Sequence, residues 1–97
     1  MNNKLIAQII WLTEEQGGRK NIPWSEKYGP IVLIKGGCFN YQNSYWSLLV
    51  NNIESVSENE TIAEIQYLAD NAPDNLHEGI QFDLYEGAKV VATGVVI

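Results

Sequence analysis

The side chains that stand out as a near-neutral base or a nucleophile are the single histidine, His77, and the single cysteine, Cys38. His77 lies beside Glu78 in a polar stretch, and a catalytic histidine–carboxylate pair also needs a nucleophile or a substrate cleft. The neighbouring sequence supplies neither, so an ordinary loop histidine is expected. Cys38 follows two glycines, but a reactive thiolate needs an electropositive neighbourhood, and only Lys35 is close in sequence. A buried structural thiol is therefore expected, and the chain is predicted not to be an enzyme.

Metal and nucleotide sites are not indicated by the remaining motifs. Carboxylates cluster at 54–64 and 70–78, but they lack the alternating oxygen ligands around a glycine that an EF-hand requires. A solvated acidic face explains them. The stretch Gly17-Gly18-Arg19-Lys20 has neither GxGxxG nor P-loop spacing. A single cysteine cannot form an internal disulfide or a cysteine-paired metal site. The sequence predicts no metal and no cofactor.

Aromatic side chains are concentrated in the first half of the chain, where they could bind a partner. They are Trp24, Tyr28, Phe39, Tyr41, Tyr45 and Trp46. Some must fill the core, but tryptophan and tyrosine outside a core are enriched at binding hot spots. Trp24 is the first candidate for an exposed anchor, because it lies in a loop bounded by Pro23 and Pro30. The alternative is that Trp24 plugs one end of the fold.

The charge of the chain is −6 and is unevenly distributed. Residues 1–36 contain five basic and three acidic residues, which gives +2, whereas residues 37–97 set Lys89 against nine carboxylates, which gives −8. An acidic surface repels phosphate and anionic lipid, so general nucleic-acid or membrane binding is not expected.

The apolar run from Leu5 to Leu12 is too short to span a bilayer, and a cytoplasmic location is expected.

Strand signals dominate the chain. Strands are predicted at 5–13, 31–35, 39–45 continuing as an apolar run at 46–50, 61–68, 79–85 and 88–97. Loops are predicted at 14–18, 21–30, 55–60 and 70–78, with turns at Asn51-Asn52 and Glu86-Gly87. The threefold spacing of Ile62, Ile65 and Leu68 also permits a helix over 61–69, although β-branched and aromatic residues favour the strand.

About six short strands and no clear helix predict an all-β fold. Short strands at this spacing indicate a barrel or a sandwich, and closure into a barrel would remove exposed strand edges. Ninety-seven residues with 45% hydrophobic content are typical of one globular domain, here expected to span residues 1–97.

The two ends of the chain resemble one known domain. Residues 5–30 are similar to the opening of the C-terminal β-barrel, the third domain, of bacterial elongation factor Tu. The shared features are a first strand, an acidic turn with Gly17, Gly18 and Arg19, then Pro23, Trp24, Tyr28 and Pro30. Residues 76–96 resemble the end of that domain. There the shared features are Gly79, Phe82, Glu86-Gly87, Lys89 and Gly94. Residues 36–60 do not match well.

This resemblance implies a free-standing, six-stranded antiparallel β-barrel. In the family, the barrel helps to hold the acceptor and T-stem of aminoacyl-tRNA and is a docking surface for proteins. Arg19, Lys20, Glu86 and Gly87 match positions that face tRNA in the family. The chain departs from the pattern at Tyr85 and Gly29, which stand where the family has arginine, and in the loop 70–75, which is acidic where the family commonly has lysine or histidine before a proline. A surface that has lost positive charge binds phosphate less tightly.

The sequence therefore predicts a non-catalytic binding module, whose partner is a protein. As a stand-alone mimic of a translation factor, it would bind a translation component; as an immunity protein, it would neutralise a basic toxin, since opposite charge speeds association. Binding of tRNA or another RNA is the alternative. The predicted surface combines the 19–28 loop with the 85–89 hairpin. Its residues are Arg19, Lys20, Trp24, Lys27, Tyr28, Tyr85, Glu86, Gly87 and Lys89.

Overall fold

Six β-strands close into an antiparallel barrel in the computed structural model, which describes residues 4–24, 28–35, 46–70, 72 and 76–97. The strands are β1 (Leu5–Trp11), β2 (Ile31–Ile34), β3 (Trp46–Ser57), β4 (Glu60–Tyr67), β5 (Gln81–Glu86) and β6 (Lys89–Val96). Around the barrel they follow the order β1-β4-β3-β2-β5-β6, and β6 pairs with β1 to complete the ring. The predicted all-β, six-stranded antiparallel barrel is confirmed.

The barrel core follows from the alternation of side chains along each strand, because successive residues of a strand point to opposite faces. In β4, Ala63, Ile65 and Tyr67 are buried, as the strand prediction for this segment requires, and the helical alternative is wrong. Phe82 and Leu84 of β5 are fully buried, as their alternation with polar residues predicts. The largest fully buried side chains are Phe82, Ile9, Leu48, Ile65, Leu84, Val50, Val91 and Thr61.

Gly94 has a packing role that explains why a side chain is absent there. It lies opposite Phe82 in the β5–β6 register, and a methyl group at Gly94 would lie 2.4 Å from Cζ of the Phe82 ring. Such an approach is far shorter than carbon–carbon contact distance, so the ring occupies the space that a side chain would need.

Strand β3 is longer than expected, and two predictions made for it are wrong. Asn51 and Asn52 do not form a turn, since β3 continues through both of them to Ser57. The loop predicted at 55–60 is reduced to a two-residue turn at 58–59 before β4 begins at Glu60. Asn52 tolerates a strand position because buried partners on other segments satisfy its amide group, as described below.

The ends of other predicted segments shift by one or two residues. Strand β1 ends at Trp11, and the segment expected to be a loop contains a short 3₁₀ helix over Glu14–Gln16. Glu86 is the last residue of β5, so the turn lies at Gly87-Ala88 and not at Glu86-Gly87. The strand predicted at 39–45 lies outside the described residues.

One end of the barrel, which we call the hairpin end, holds both short turns. The backbone N–H of Trp11, at the end of β1, donates to the carbonyl of Asn59 in the β3–β4 turn at 2.7 Å. Trp11 also pairs with Ala92 of β6, which leads back to the β5–β6 turn at Gly87-Ala88. The loop that follows β1 is therefore built over this end.

Candidate functional site

A tight turn after β1 determines where Arg19 lies. Thr13 caps the 3₁₀ helix: its Oγ1 accepts from the N–H of Gln16 at 3.2 Å, and Oε1 of Gln16 accepts from the N–H of Thr13 at 2.9 Å. This reciprocal arrangement is a capping box. Gly17 ends the helix in the left-handed region, and Gly18 packs directly on the backbone of Leu12. The chain thereby reverses, and Arg19 emerges towards the β5–β6 hairpin.

Arg19, Tyr28 and Glu86 form one hydrogen-bonded cluster, which we call the Arg19 cluster. Nη1 of Arg19 and the hydroxyl of Tyr28 both donate to Oε2 of Glu86. The guanidinium carbon of Arg19 also lies 4.8 Å from the centre of the Tyr28 ring, within cation–π range. Three of the residues that the sequence predicts for the binding surface are therefore brought together, and the cluster joins the 19–28 loop to the hairpin.

The electrostatics of the Arg19 cluster favour its charged pair. The hydrogen bond to Glu86 raises the pKa of Arg19. Burial alone would raise the pKa of Glu86, but the hydrogen bonds from Tyr28 and Arg19, with the positive charge of Lys89, outweigh it and lower that pKa. Burial and the hydrogen bond to Glu86 raise the pKa of Tyr28. At neutral pH, the cluster therefore holds an arginine cation, a carboxylate and a neutral phenol.

Acid is expected to weaken this cluster. Because the folded state lowers the pKa of Glu86, its carboxylate stabilises the fold above the usual glutamate pKa of about 4.3, and this contribution is lost as the pH falls through the lower folded pKa. In Glu86→Gln, the contribution is absent at every pH. The gap in free energy of unfolding between wild type and Glu86→Gln should thus be widest near pH 7 and narrow below about pH 4.

Chemical denaturation between pH 7 and pH 2.5 would measure this gap. A third of the Glu86 side chain is exposed, so the gap at neutral pH should be about 1 kcal/mol or less. Glu58→Gln is the matched control, because it removes an exposed carboxylate from the turn at the same end of the barrel. A gap that stays constant with pH would show that the carboxylate does not stabilise the fold through its charge.

A second chain of hydrogen bonds runs from the barrel interior to Pro23, the residue before Trp24. Nε1 of Trp11 donates to Oγ1 of Thr61 at 2.9 Å, and that hydroxyl donates to Oδ1 of Asn52 at 2.7 Å. Nδ2 of Asn52 then donates to the carbonyl of Pro23 at 3.0 Å. Buried polar groups need such partners, so these bonds tie Pro23 to β1, β3 and β4.

Trp24 follows this anchored proline, and 44% of it is exposed to solvent. Trp11 is instead 3% exposed and packs at 5.8 Å, centre to centre, from the Tyr28 ring. The buried Trp11 and the partly buried Tyr28 therefore pack together at the hairpin end, whereas Trp24 is largely outside the core. Trp24 is an exposed aromatic side chain between two anchored points of the backbone. On one side, the carbonyl of Pro23 accepts a hydrogen bond from Asn52; on the other, Tyr28 forms an isolated strand bridge with Val50.

The other residues predicted for the surface lie near the Arg19 cluster or outside the described chain. Lys20 and Gly87 are exposed and directly follow members of the cluster. Lys89 is exposed and pairs with Glu86 across the hairpin. Tyr85 is half-buried and pairs with Ile31 of β2. Lys27 lies outside the described residues.

An open groove of about 330 Å³ separates the loop after β1 from the β3–β4 turn. Its lining residues are Trp11, Leu12, Thr13, Glu14, Arg19, Lys20, Asn21, Ile22, Glu58 and Asn59. Pockets for small molecules are mostly apolar with few polar groups, whereas this groove has two acidic and two basic side chains. Its composition suits the rim of a protein interface better than an enclosed ligand site.

The residues considered for catalysis do not join this site. His77 is exposed, and the segment around it is fixed at the opposite end of the barrel, where the N–H of Gly79 donates to the carbonyl of Val96. Cys38 lies outside the described residues. Within the described ranges, no group of three or more histidine, cysteine or acidic side chains is arranged to hold a metal ion. In the same part of the chain, no helix is long and apolar enough to cross a membrane.

Sequence reasoning missed the residues that position the site. Trp11, Asn52 and Thr61 were assigned no role, although they hold the Trp24 loop. A usable signal was present in Asn52 and Thr61, because a polar residue at an inward strand position needs a buried partner. The partners themselves are 9 and 29 residues away from Asn52 in sequence, so local patterns do not identify them.

Comparison of the chain with models of known protein families and with curated proteins found no match.

Proposed function

We propose that this barrel is a non-catalytic module that binds another protein through Trp24 and the neighbouring hairpin. The observation that carries the proposal is the exposure of Trp24 directly after Pro23, whose carbonyl accepts a hydrogen bond from Asn52. A loop whose backbone is already anchored loses less conformational entropy on docking. Tryptophan in such a position is typical of the few residues that dominate a protein interface.

The composition of the site supports a protein partner over a small molecule. The groove beside the Arg19 cluster is open and lined by charges of both signs, which is typical of an interface rim around an apolar anchor. With a net charge of −6, the chain would associate faster with a basic partner. A translation component, if the barrel mimics the third domain of elongation factor Tu, and a basic toxin, if it is an immunity protein, are the two partner classes proposed.

RNA binding is the rival function and has less support. Arg19, one of four residues that the family resemblance places against tRNA, is already paired with Glu86, so its charge is largely neutralised within the molecule. Lys20 and Lys89 remain exposed in this region. Two or three phosphate contacts would give weak binding that falls steeply with salt.

Affinity capture with the whole chain tests the proposal. Wild type, Trp24→Ala and Ile97→Ala are immobilised and exposed to nuclease-treated lysate of cells that naturally produce the chain. Ile97→Ala is the matched control, because Ile97 is 53% exposed and follows β6 at the end of the barrel opposite the hairpin end, where its N–H donates to the carbonyl of Ile6. We expect the same protein to be retained by wild type and Ile97→Ala, and its recovery to fall about tenfold or more with Trp24→Ala.

Two results would contradict the proposal: no protein retained above background, or equal recovery with all three chains.

The rival function, RNA binding, is tested by titrating tRNA at low salt. Binding that disappears when Lys20 and Lys89 are replaced by alanine, with no protein captured, would favour RNA over a protein partner.

A further inference from the structure

The outer wall formed by β1 and β4 is more apolar than a solvated barrel surface requires. Its outward residues are Ile6, Gln8 and Ile10 of β1, and Glu60, Ile62 and Glu64 of β4; we call this surface the side face. A sheet face that contacts water is normally polar, with apolar residues turned towards the core. Here Ile6 is 37% exposed and Ile10 is 44% exposed.

The register between the two strands interleaves isoleucine with carboxylate. Ile6 lies opposite Glu64, Gln8 opposite Ile62, and Ile10 opposite Glu60. Directly opposed side chains in an antiparallel pair have Cβ atoms about 5 Å apart, so these groups form one continuous surface. The three isoleucines are therefore diagonal neighbours, each facing a polar or acidic side chain, and the half-buried Ile62 lies between the exposed Ile6 and Ile10. A surface that alternates apolar and acidic groups in this way can contact a partner through both.

Strand β3 extends this surface on the other side of β4. Glu54 lies opposite Ile62, and two register shifts accompany Ile53 and Val56, each 52% exposed. The shifts interrupt the regular pairing, and such bulges re-aim side chains.

The charge carried by β1, β3 and β4 has one sign, and Lys35, which lines a cavity with Gln8 and Ile10 on the β6 side, is paired with Asp83. Strands β1, β3 and β4 contain no lysine, arginine or histidine, and their carboxylates are Glu54, Glu60 and Glu64. Two of these accept hydrogen bonds from neutral amides, Glu60 from Gln8 and Glu64 from Asn51. Among the described residues, none of the three forms an ion pair. Their negative charge is therefore available to a partner.

We propose that the side face is a second docking site, for a protein whose surface has an apolar centre surrounded by lysine or arginine. The apolar centre would cover Ile6, Ile10 and Ile62, and the cations would pair with the carboxylates between them. Charge complementarity selects this occupant. A second copy of the chain, docked by the same face, would oppose carboxylate to carboxylate. Nucleic acid and anionic membranes carry the wrong charge.

This site is separate from the Trp24 loop, so it can be tested with Trp24 intact. The probe is an 18-residue helical peptide with a leucine stripe flanked by lysines, and the control probe has glutamate in place of lysine. Amide chemical shifts of the isotope-labelled whole chain are followed during titration. We expect the lysine peptide to shift amides of β1, β3 and β4, and to bind about tenfold or more tightly than the glutamate peptide.

Variants separate the apolar and charged contributions. Two double variants should each weaken binding of the lysine peptide about tenfold. The first replaces Ile6 and Ile10 by serine, and the second replaces Glu60 and Glu64 by lysine. Leu68→Ser is the control, since Leu68 is more exposed than Ile6 or Ile10 but lies beyond the residues of β4 that pair with β1, and it should bind as wild type does. These side chains are on the surface, and unchanged shifts elsewhere would confirm that each variant is folded.

Three outcomes would overturn the proposal. They are shifts confined to other parts of the molecule, equal binding of the two peptides, and concentration-dependent dimerisation in sedimentation that Ile10→Ser abolishes. Loss of protein capture by Trp24→Ala would leave this result unaffected, and failure of the side face would leave the proposed function unaffected.

Discussion

Gly18→Ala is expected to lower the free energy of unfolding by about 3 kcal/mol, because a backbone atom occupies the space that the new side chain needs. A methyl group at Gly18 would lie 2.1 Å from the carbonyl oxygen of Leu12 and 2.6 Å from its carbonyl carbon. A flexible side chain could rotate away, but a backbone carbonyl moves only with the turn that contains it. The turn is held by the Thr13 capping box and by the bond from the N–H of Gly18 to the carbonyl of Thr13 at 2.8 Å.

The strain should also reach the Arg19 cluster, since Arg19 is the next residue. Movement of the turn would separate the guanidinium from Glu86, so Gly18→Ala should lose part of the acid sensitivity that Glu86 confers.

Urea denaturation at pH 7 measures the change in the free energy of unfolding of Gly18→Ala. Gly29→Ala is the matched control, because its methyl group would lie 3.2 Å from the terminal Cδ1 of the exposed Leu68, which can rotate; a cost below about 1 kcal/mol is expected. Equal stability of Gly18→Ala and wild type would show that the turn is not packed in this way.

The barrel itself could be predicted from sequence because its signals are local. Alternation in 79–85 identified Phe82 and Leu84 as inward residues, and the β-branched content of 61–68 favoured a strand. Where local chemistry and tertiary contacts disagree, the prediction failed. Asn51 and Asn52 have turn-forming side chains, yet Asn52 lies in β3 because Thr61 and Pro23 satisfy its amide. Those partners exist only once the barrel has closed.

The candidate site could be predicted only in part, for the same reason. Arg19, Tyr28 and Glu86 were selected as surface residues, but the ion pair between Arg19 and Glu86 joins positions 67 apart in sequence and forms only when the end of β5 lies beside Arg19. The exposure of Trp24 was left undecided between an anchor and a plug, because a proline-bounded loop is compatible with both. The structure shows that Trp24 is 44% exposed while Trp11 and Tyr28 pack at the hairpin end, and its role as an anchor stays a prediction.

The two tryptophans at this end of the barrel should therefore respond to truncation in opposite ways. Trp11 is 3% exposed, packs against Tyr28 and donates to Thr61, so Trp11→Ala removes a large buried ring and leaves the Thr61 and Asn52 pair without its donor. We expect a loss of about 3–5 kcal/mol, which is a large share of the 5–15 kcal/mol typical of a small domain. Trp24→Ala should change stability by about 1 kcal/mol or less, because nearly half of this side chain is already in water.

Thermal unfolding of both variants measures the contrast directly. For a domain of about 100 residues, 1 kcal/mol shifts Tm by roughly 4–8 °C, so Trp11→Ala should melt far below wild type while Trp24→Ala stays close to it. Trp11→Phe adds a further control, since it keeps an aromatic ring but removes the Nε1 donor, and should fall between the two. If Trp24→Ala were as damaging as Trp11→Ala, Trp24 would be part of the fold, and protein binding would lose its anchor. If Trp24→Ala is stable but no longer captures the partner, the loss of binding cannot be attributed to unfolding, and Trp24 acts at the interface itself.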